Sequence, residues 1–189
     1  MPTSYDAYYQ TADLFGPPHA PLMDFFRKQP MPATVLDVGC GQGRNALPLA
    51  RMGFEIVGTD LSKVGIDQMN ALAEREALPI TGLVADIFVF EDYGAYDFIL
   101  LDSMFHFRKS EKKQELDLLG KIFHALKARG QLVICMQAAP AKVELLETSA
   151  KEHPSLTQIV AERFDYIFED RDSGHRSVSE YVMRVWQKS

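Results

Sequence analysis

Three glycines at alternate positions, Gly39, Gly41 and Gly43, constrain the fold of this chain more than any other feature. The apolar, partly β-branched run 35–38 leads directly into them, and residues 46–50 continue with apolar side chains at helical spacing. This pattern predicts a buried strand, a tight turn and the start of a helix. Glycine tolerates positive φ and lets a ligand approach bare backbone, and the N–H groups at the helix start favour a polar or anionic group. We therefore expect a ligand at this loop.

Strand-like and helix-like segments alternate along most of the chain. The expected strands are Thr34–Val38, Phe54–Thr59, Thr81–Ala85, Tyr96–Leu101 and Gln131–Met136. The expected helices cover about 20–28, 43–52, 63–77, 111–129 and 140–152. We expect Ser62 and Ser110 to be N-caps and Gly130 to end the longest helix as its C′ residue. Parallel strands joined by helices predict an α/β fold with a sheet covered on both faces.

The last quarter of the chain has a different pattern. Phe164–Glu169 and Val178–Gln187 are apolar or alternating, and they flank the turn-forming run 170–174. This is typical of an antiparallel hairpin rather than a helical crossover. The five β/α units should therefore end in an antiparallel pair of strands.

Composition limits the domain organisation and the partners. The 189 residues are expected to form a single domain, with an aromatic N-terminal helix or lid region over 1–30 and the core over 31–189. A net charge of −6 without a basic stripe argues against nucleic acid. No apolar run approaches the roughly 20 residues of a membrane span, and no secretory signal is recognisable, so we expect a cytoplasmic protein. Cys40 and Cys135 lack metal-ligand spacing, and no metal is expected.

Acidic residues lie at the carboxyl ends of four of the predicted strands, at the sheet edge where α/β proteins bind ligands. These positions are Asp37, Asp60-Leu61, Asp86-Ile87 and Asp102-Ser103. Asp60 lies 21 residues after Gly39, close to the spacing at which an acidic side chain accepts ribose hydroxyls. Asp86 is placed to meet an adenine amino group, with Ile87 against the ring. The pattern predicts a nucleoside-containing cofactor.

Arg44 indicates which kind of cofactor the glycine loop can bind. A dinucleotide-binding loop needs G-x-G-x-x-G, whose third glycine would fall at position 44, whereas the glycines here follow G-x-G-x-G. The residue therefore argues against a nicotinamide-dependent reductase, which stays open as a third hypothesis.

Together these segments resemble the class I S-adenosylmethionine-dependent methyltransferases. The matching segments are 35–43, 58–62, 85–87 and 96–101. The resemblance implies a three-layer Rossmann-like fold with a mostly parallel seven-stranded sheet and a C-terminal antiparallel hairpin. It also implies S-adenosylmethionine as cofactor and S-adenosylhomocysteine as product, with Asp37, Gly39 and Gly41 at the methionine moiety. The complete predicted cofactor set is Asp37, Gly39, Cys40, Gly41, Arg44, Asn45, Asp60, Leu61, Asp86, Ile87, Asp102 and Ser103.

Within that family the chain resembles the tellurite-resistance methyltransferase branch. Gly43-Arg44-Asn45, Pro18-His19 and Tyr8-Tyr9 carry this likeness. That branch has a His-Arg pair in its last hairpin, where this chain has Phe168 and Glu169, while Gly174-His175-Arg176 is displaced by several residues. The acceptor therefore stays open between a thiol, a chalcogen oxyanion and another small metabolite.

Residues outside the cofactor set must hold the acceptor. His106 and His19 are the candidate catalytic residues, and Tyr8, Tyr9 and Arg176 are candidates for the lid or the acceptor site. A protein base is needed only when the nucleophile arrives protonated with a high pKa. We predict a methyltransferase that acts on a small molecule, and the alternative is a non-catalytic module that binds S-adenosylmethionine.

Overall fold

The computed structural model of the chain describes residues 4–11, 15–169 and 176–189, without the side chains of Ser4, Tyr8 and Glu169. The expected turn at 170–174 and His175 lie outside the described residues. The helices are α1 (Ser4–Tyr8), α2 (Ala20–Arg27), α3 (Ala46–Arg51), α4 (Lys63–Arg75), α5 (Lys112–Ala125) and α6 (Pro140–Lys151). The strands are β1 (Thr34–Val38), β2 (Glu55–Asp60), β3 (Ile80–Val84), β4 (Phe98–Asp102), β5 (Gln131–Gln137), β6 (Leu156–Glu169) and β7 (Arg176–Lys188).

The seven strands form one sheet in the order β3-β2-β1-β4-β5-β7-β6. The first five strands are parallel, and β7 is antiparallel to both β5 and β6. Parallel pairing requires a crossover connection such as a helix, whereas the short link between β6 and β7 permits an antiparallel pair. The predicted mostly parallel sheet with a terminal hairpin is confirmed.

Two apolar cores cover the two faces of this sheet. On one face, side chains from α2, α3 and α4 pack against alternate residues of β1 and β4, such as Val35 and Leu100. On the other face, α5 and α6 pack against the intervening residues, such as Leu36 and Leu101. Neighbouring strand residues point to opposite faces, so both faces of a central strand must be apolar. The result is the predicted three-layer arrangement.

Several predicted helix boundaries are wrong. Glu111, rather than Ser110, precedes α5, because the N–H groups of Glu111 and Lys112 both bond to the Arg108 carbonyl and form a separate turn. The helix ends at Ala125, and the Gly130 amide instead closes a later turn onto the Lys127 carbonyl at 2.8 Å. Helix α3 begins at Ala46 instead of 43, because the glycine loop continues as turns up to that residue.

Other boundaries follow the sequence more closely. Ser62 caps α4 as predicted, since its hydroxyl accepts the amide of Gly65 at 3.1 Å. The N-terminal segment, expected to be irregular, contains the short helix α1. No helix within the described part of the chain is both long and apolar enough to cross a bilayer.

The hairpin extends beyond the rest of the sheet. The β5–β7 pairing stops at Gln137↔Tyr181, at the carboxyl end of β5, whereas the β6–β7 pairing continues to Glu169↔Arg176. Residues 165–169 and 176–180 therefore form a two-stranded ribbon beyond the edge of the parallel strands. We call this ribbon the overhang. It lies on the same side as the carboxyl ends of β1, β2 and β4.

Candidate active site at the carboxyl ends of the strands

The glycine loop, residues 39–43, connects β1 to the turns before α3. Gly39 and Gly41 have φ values of 73° and 54°, where side chains are disfavoured. The loop is fixed to the neighbouring strand, because the amides of Gly39 and Cys40 donate to the Thr59 carbonyl at 2.7 and 3.0 Å. A Cβ at Gly39 would collide with the Met104 sulfur, and one at Gly41 with the Tyr9 hydroxyl. Both positions favour glycine for conformation, and at Gly41 the buried Tyr9 ring adds a steric reason.

Asp60, at the end of β2, is held against this loop by backbone amides. Its Oδ2 accepts the amide of Gly41 at 2.9 Å, and its Oδ1 accepts the amide of Ser62 at 2.7 Å. A carboxylate has about four acceptor sites, so it can still accept two hydroxyl donors. Burial raises the pKa of Asp60 despite these bonds. Leu61 beside it is half exposed and presents an apolar surface at the same edge.

Asp86 and Ile87 follow β3 as predicted. Asp86 Oδ1 accepts the Phe88 amide at 2.9 Å, which fixes the carboxylate in a local turn and leaves its other oxygen for a further donor. Ile87 is buried, and its carbonyl accepts the Tyr93 hydroxyl at 2.6 Å. The pair therefore offers a fixed acceptor beside an apolar side chain.

Three buried polar atoms near the glycine loop have no hydrogen-bond partner among the described residues: Asp37 Oδ2, Asn45 Oδ1 and Thr59 Oγ1. Burial, with a further effect of the Asp102 charge, raises the pKa of Asp37 to about 7. Buried polar atoms in native proteins normally have partners, so these acceptors fit a polar, donor-bearing ligand. The Cys40 thiol, by contrast, is turned into the protein and packs beside Gly58.

A buried carboxylate at the end of β4 joins three segments of the chain. Asp102 Oδ2 accepts Arg44 Nη2 at 2.5 Å and Asn45 Nδ2 at 3.0 Å. Its Oδ1 accepts the Ser103 hydroxyl at 3.1 Å and lies 3.2 Å from His19 Nε2, outside hydrogen-bond geometry. We call these five residues the carboxylate hub. Burial alone would raise the pKa of Asp102, but the nearby His19 and Arg44 outweigh it and hold this pKa at about 2.

His19 sits among three aromatic rings of the hairpin. Its ring centroid lies 4.9 Å from Phe164, 5.0 Å from Tyr166 and 5.1 Å from Tyr181. The Tyr166 hydroxyl also donates to the Phe15 carbonyl at 3.2 Å. The segment before α2 is thus fastened to the hairpin, and His19 is almost completely buried.

The loop after β4 holds the other candidate histidine. The buried carboxylate of Glu115 accepts the backbone amides of His106 at 3.0 Å and Phe107 at 2.5 Å, so α5 fixes this loop. The His106 side chain is half-buried. Burial, together with the charge of Arg108, lowers the pKa of His106.

The N-terminal segment lies over the glycine loop. The Tyr9 carbonyl accepts the side-chain amides of Gln42 at 3.3 Å and Gln68 at 2.9 Å, and the Ser62 hydroxyl donates to Asp6 at 2.5 Å. The Tyr9 ring is buried against the loop. The side chain of Tyr8 lies outside the described residues, and Arg176 is exposed at the end of the overhang.

The structure thus brings most of the predicted residues to one edge of the sheet. Sequence reasoning missed the mutual contacts of Arg44, Asn45 and His19 with Asp102, and it missed Tyr166 and Tyr181 altogether. The available signal for Tyr166 was the alternation of aromatic residues along β6, whereas Tyr181 lies on β7. Within the described ranges, no group of three His, Cys, Asp or Glu side chains is arranged to hold a metal ion.

A separate groove of about 500 Å³ lies between α5 and α6 and is lined by residues such as Leu116, Leu145 and His153. It is on the helical face of the protein, away from the glycine loop, and none of the predicted site residues lines it. We therefore place the candidate active site at the edge of the sheet rather than in this groove.

Residues 35–130, about half of the chain, match the family described as Methyltransferase domain. By sequence, the chain is 37% identical over 81 residues to the probable S-adenosyl-L-methionine-dependent methyltransferase TehB of Haemophilus influenzae. The aligned part is 43% of this chain and only 28% of that protein. It is also 36% identical over 66 residues to a ubiquinone biosynthesis O-methyltransferase of Rickettsia prowazekii, over 35% of this chain and 26% of that enzyme.

Solved structures have the same fold. The TehB structure from Haemophilus influenzae matches 100% of this chain and 67% of its own, with a TM-score of 0.72 and 20% identity. The N-methyltransferase NodS from Bradyrhizobium japonicum, solved with S-adenosylhomocysteine, matches 99% of this chain and 97% of its own, with a TM-score of 0.75 and 18% identity. The nicotinamide-dependent reductase hypothesis is therefore wrong. The chain belongs to the class I S-adenosylmethionine-dependent methyltransferases, near the TehB branch, and S-adenosylmethionine is the cofactor of that family.

Proposed function

We propose that this protein transfers a methyl group from S-adenosylmethionine to a small-molecule acceptor. The observation that carries the proposal is the bond between the Gly41 amide and Asp60. It joins the glycine-rich loop and a carboxylate with unused acceptor sites at one edge of the sheet. Such a pair suits a ligand that has both a polar amino-acid part and a ribose.

The residues present fit this cofactor. Gly39 and Gly41 would lie against its methionine part, and the unpartnered Asp37 Oδ2 would accept from its amino group. Asp60 would accept the ribose hydroxyls, and Asp86 with Ile87 would flank the adenine. When bound, S-adenosylmethionine supplies an electrophilic methyl group on a sulfonium. The protein contributes alignment and exclusion of water.

The N-terminal region supplies the lid in this proposal. Tyr9 packs over Gly41, and three side chains, those of Gln42, Gln68 and Ser62, bond to its segment. Closure of this segment would keep water from the reacting groups. Tyr8 and Arg176 stay candidates for contact with the lid or the acceptor.

The two histidines receive different proposed roles. His106 follows β4, is half-buried and has a lowered pKa, so it suits the acceptance of a proton from an acceptor that enters protonated. His19 is enclosed by the hairpin rings and the carboxylate hub, so its proposed role is to position Asp102 rather than to touch the acceptor.

Other features support a small acceptor in a reducing compartment. The net charge of −6 disfavours a long nucleic acid, and NodS and the ubiquinone enzyme are named as an N- and an O-methyltransferase. Both cysteines are buried and unpaired, which fits the cytoplasm. We also propose that residues 1–189 form a single domain.

Calorimetric titration with S-adenosylhomocysteine tests the cofactor site, and Asp60→Ala is the informative variant. We expect micromolar-range binding that Asp60→Ala weakens by at least tenfold, while Asp67→Ala, an exposed carboxylate on α4, leaves it unchanged. A protein that binds neither S-adenosylmethionine nor S-adenosylhomocysteine at 100 μM contradicts the proposal. Release of S-adenosylhomocysteine in an acceptor screen separates an enzyme from a binding module.

A further inference from the structure

The inner face of the hairpin, at and beyond the edge of the sheet, has a distinctive composition. Its half-buried residues are Phe164, Tyr166 and Phe168 on β6 and Ser177, Ser179 and Tyr181 on β7. The residues between them, Asp165, Ile167, Val178 and Glu180, are exposed on the outer face. Successive strand residues alternate between faces, so residues 164–168 and 177–181 turn four aromatic rings, two serines and no charged side chain inward.

This inner face stands beside the proposed reaction site. The Tyr181 hydroxyl lies 3.5 Å from the Ser103 hydroxyl, directly after β4, and Tyr166 packs on His19 of the carboxylate hub. Met104, the next residue after Ser103, reaches Gly39 of the glycine loop. The inner face and the loop therefore meet the same short segment after β4 from two sides.

The charges at this segment disfavour an inorganic oxyanion as the acceptor. The hub has two side chains that can carry positive charge, Arg44 and His19, and both already lie against the buried Asp102, at 2.5 and 3.2 Å. Asp37 adds a further carboxyl group close by. A compact, strongly hydrated oxyanion would lose its water without gaining an unpaired cation from the hub. An organic anion whose charge is delocalised over a ring loses less hydration and gains ring contacts.

We propose that the acceptor is a flat aromatic molecule with an acidic hydroxyl group, held against the inner face of the hairpin, and that Phe168 determines this specificity. The inference rests on the methyl transfer proposed above. The ring packs against Tyr166 and Phe168, and the oxygen points toward Ser103. Offset or edge-to-face ring contacts stabilise such a complex.

Methyl transfer to such an acceptor needs no further reagent. The hydroxyl of such an acceptor loses its proton to bulk water before the transfer, so the phenolate enters the site. The phenolate oxygen forms the new C–O bond with its electron pair, and the S–CH₃ bond of the sulfonium breaks with its electron pair staying on sulfur. The products are the methyl ether and S-adenosylhomocysteine.

The probe is 4-nitrophenol, whose phenolate absorbs visible light and whose methyl ether does not. We expect loss of this absorbance and stoichiometric release of S-adenosylhomocysteine, with no release above background from selenite or tellurite. Phe168→Ala should raise the KM for 4-nitrophenol about tenfold and leave the Kd for S-adenosylhomocysteine within twofold. Ile167→Ala, the neighbouring residue on the outer face, is the matched control and should change neither value.

The possible results separate this inference from the proposed function. If S-adenosylhomocysteine binds and 4-nitrophenol is not methylated, the inference is overturned and the proposed function stands. The inference is also overturned if neither Phe168→Ala nor Ile167→Ala changes the KM for 4-nitrophenol. If S-adenosylhomocysteine does not bind, both fail. Should Phe168→Ala melt at a much lower temperature than the parent protein, Phe168→Leu, which keeps the volume but removes the ring, makes the same comparison.

Discussion

Arg44 Nη2 and Asp102 Oδ2 lie 2.5 Å apart, although 58 residues separate them in the chain. Arg44 belongs to the segment after the glycine loop, and Asp102 ends β4 on the neighbouring strand of the sheet. The ion pair is therefore a tertiary contact that connects the proposed cofactor side of the site with the proposed acceptor side.

Asp102→Asn should strongly destabilise the protein. The substitution leaves the Arg44 charge in a mostly buried position without its counter-ion, which typically costs about 3–5 kcal/mol. The free energy of unfolding by urea at pH 7 measures the effect. The control is Asp117→Asn, which removes an exposed i,i+4 pair with Lys113 and should cost no more than about 0.5 kcal/mol. Equal effects of the two substitutions would contradict a structural role for the hub.

The same carboxylate should contribute to acid unfolding. The pKa of Asp102 is about 2 in the folded protein, below its ordinary value of 3.8. The unfolded chain therefore binds more protons between these values, and the stabilisation is present above pH 3.8 and is lost as the pH falls toward 2. Chemical unfolding at successive pH values from 5 to 2 should show a steeper loss of stability for the parent protein than for Asp102→Asn. If the loss of stability with falling pH is the same for the parent protein and for Asp102→Asn, Asp102 does not contribute to acid unfolding.

Asp37 should have the opposite pH dependence. Its pKa is raised to about 7 in the folded protein from an ordinary value of 3.8, so the folded state binds more protons between pH 4 and 7. Its contribution to stability is complete below pH 3.8 and declines as the pH rises to 7. Asp37→Asn should remove this decline. The measurement is the difference in Tm between the parent protein and the variant at pH 5, 6, 7 and 8, because subtraction cancels the titration of His106 and other groups.

Gly41→Ala should weaken the binding of S-adenosylhomocysteine and lower the Tm. The alanine would have to adopt the unfavourable φ of 54°, and its Cβ would collide with the Tyr9 hydroxyl. The N-terminal segment must therefore move. Gly120→Ala is the control, since no atom lies within 4 Å of its Cβ position and alanine favours a helix by up to about 1 kcal/mol. We expect the first variant to lose at least tenfold in affinity and the second to melt slightly higher. An unchanged affinity for Gly41→Ala would show that the loop does not meet the cofactor.

The sequence alone predicted the fold well because its signals were local. Apolar runs that end in Asp60 or Asp102 identified the strands, and Ser62 identified the start of α4. The end of α5 was misplaced, because Gly130 is a good C-cap by type and only the position of the following strand shows that it closes a separate turn.

The predicted cofactor residues lie together at one edge of the sheet, but the sequence did not predict the contacts among them. Asp37, Asp60 and Asp86 could be found because strand ends meet at one edge of a parallel sheet. The enclosure of His19 by Tyr166 and Tyr181 could not, because it joins residues that are about 150 positions apart. Such a contact depends on the register of the hairpin, which no local pattern fixes.

The bonds between Tyr9 and the two glutamines have a kinetic consequence. The Tyr9 ring lies against Gly41, and movement of its segment away from the glycine loop requires the bonds from Gln42 and Gln68 to the Tyr9 carbonyl to open. Because both bonds are made by the backbone carbonyl, replacing the tyrosine side chain leaves them in place. We therefore expect two amide side chains, which need not touch a bound molecule, to slow its release.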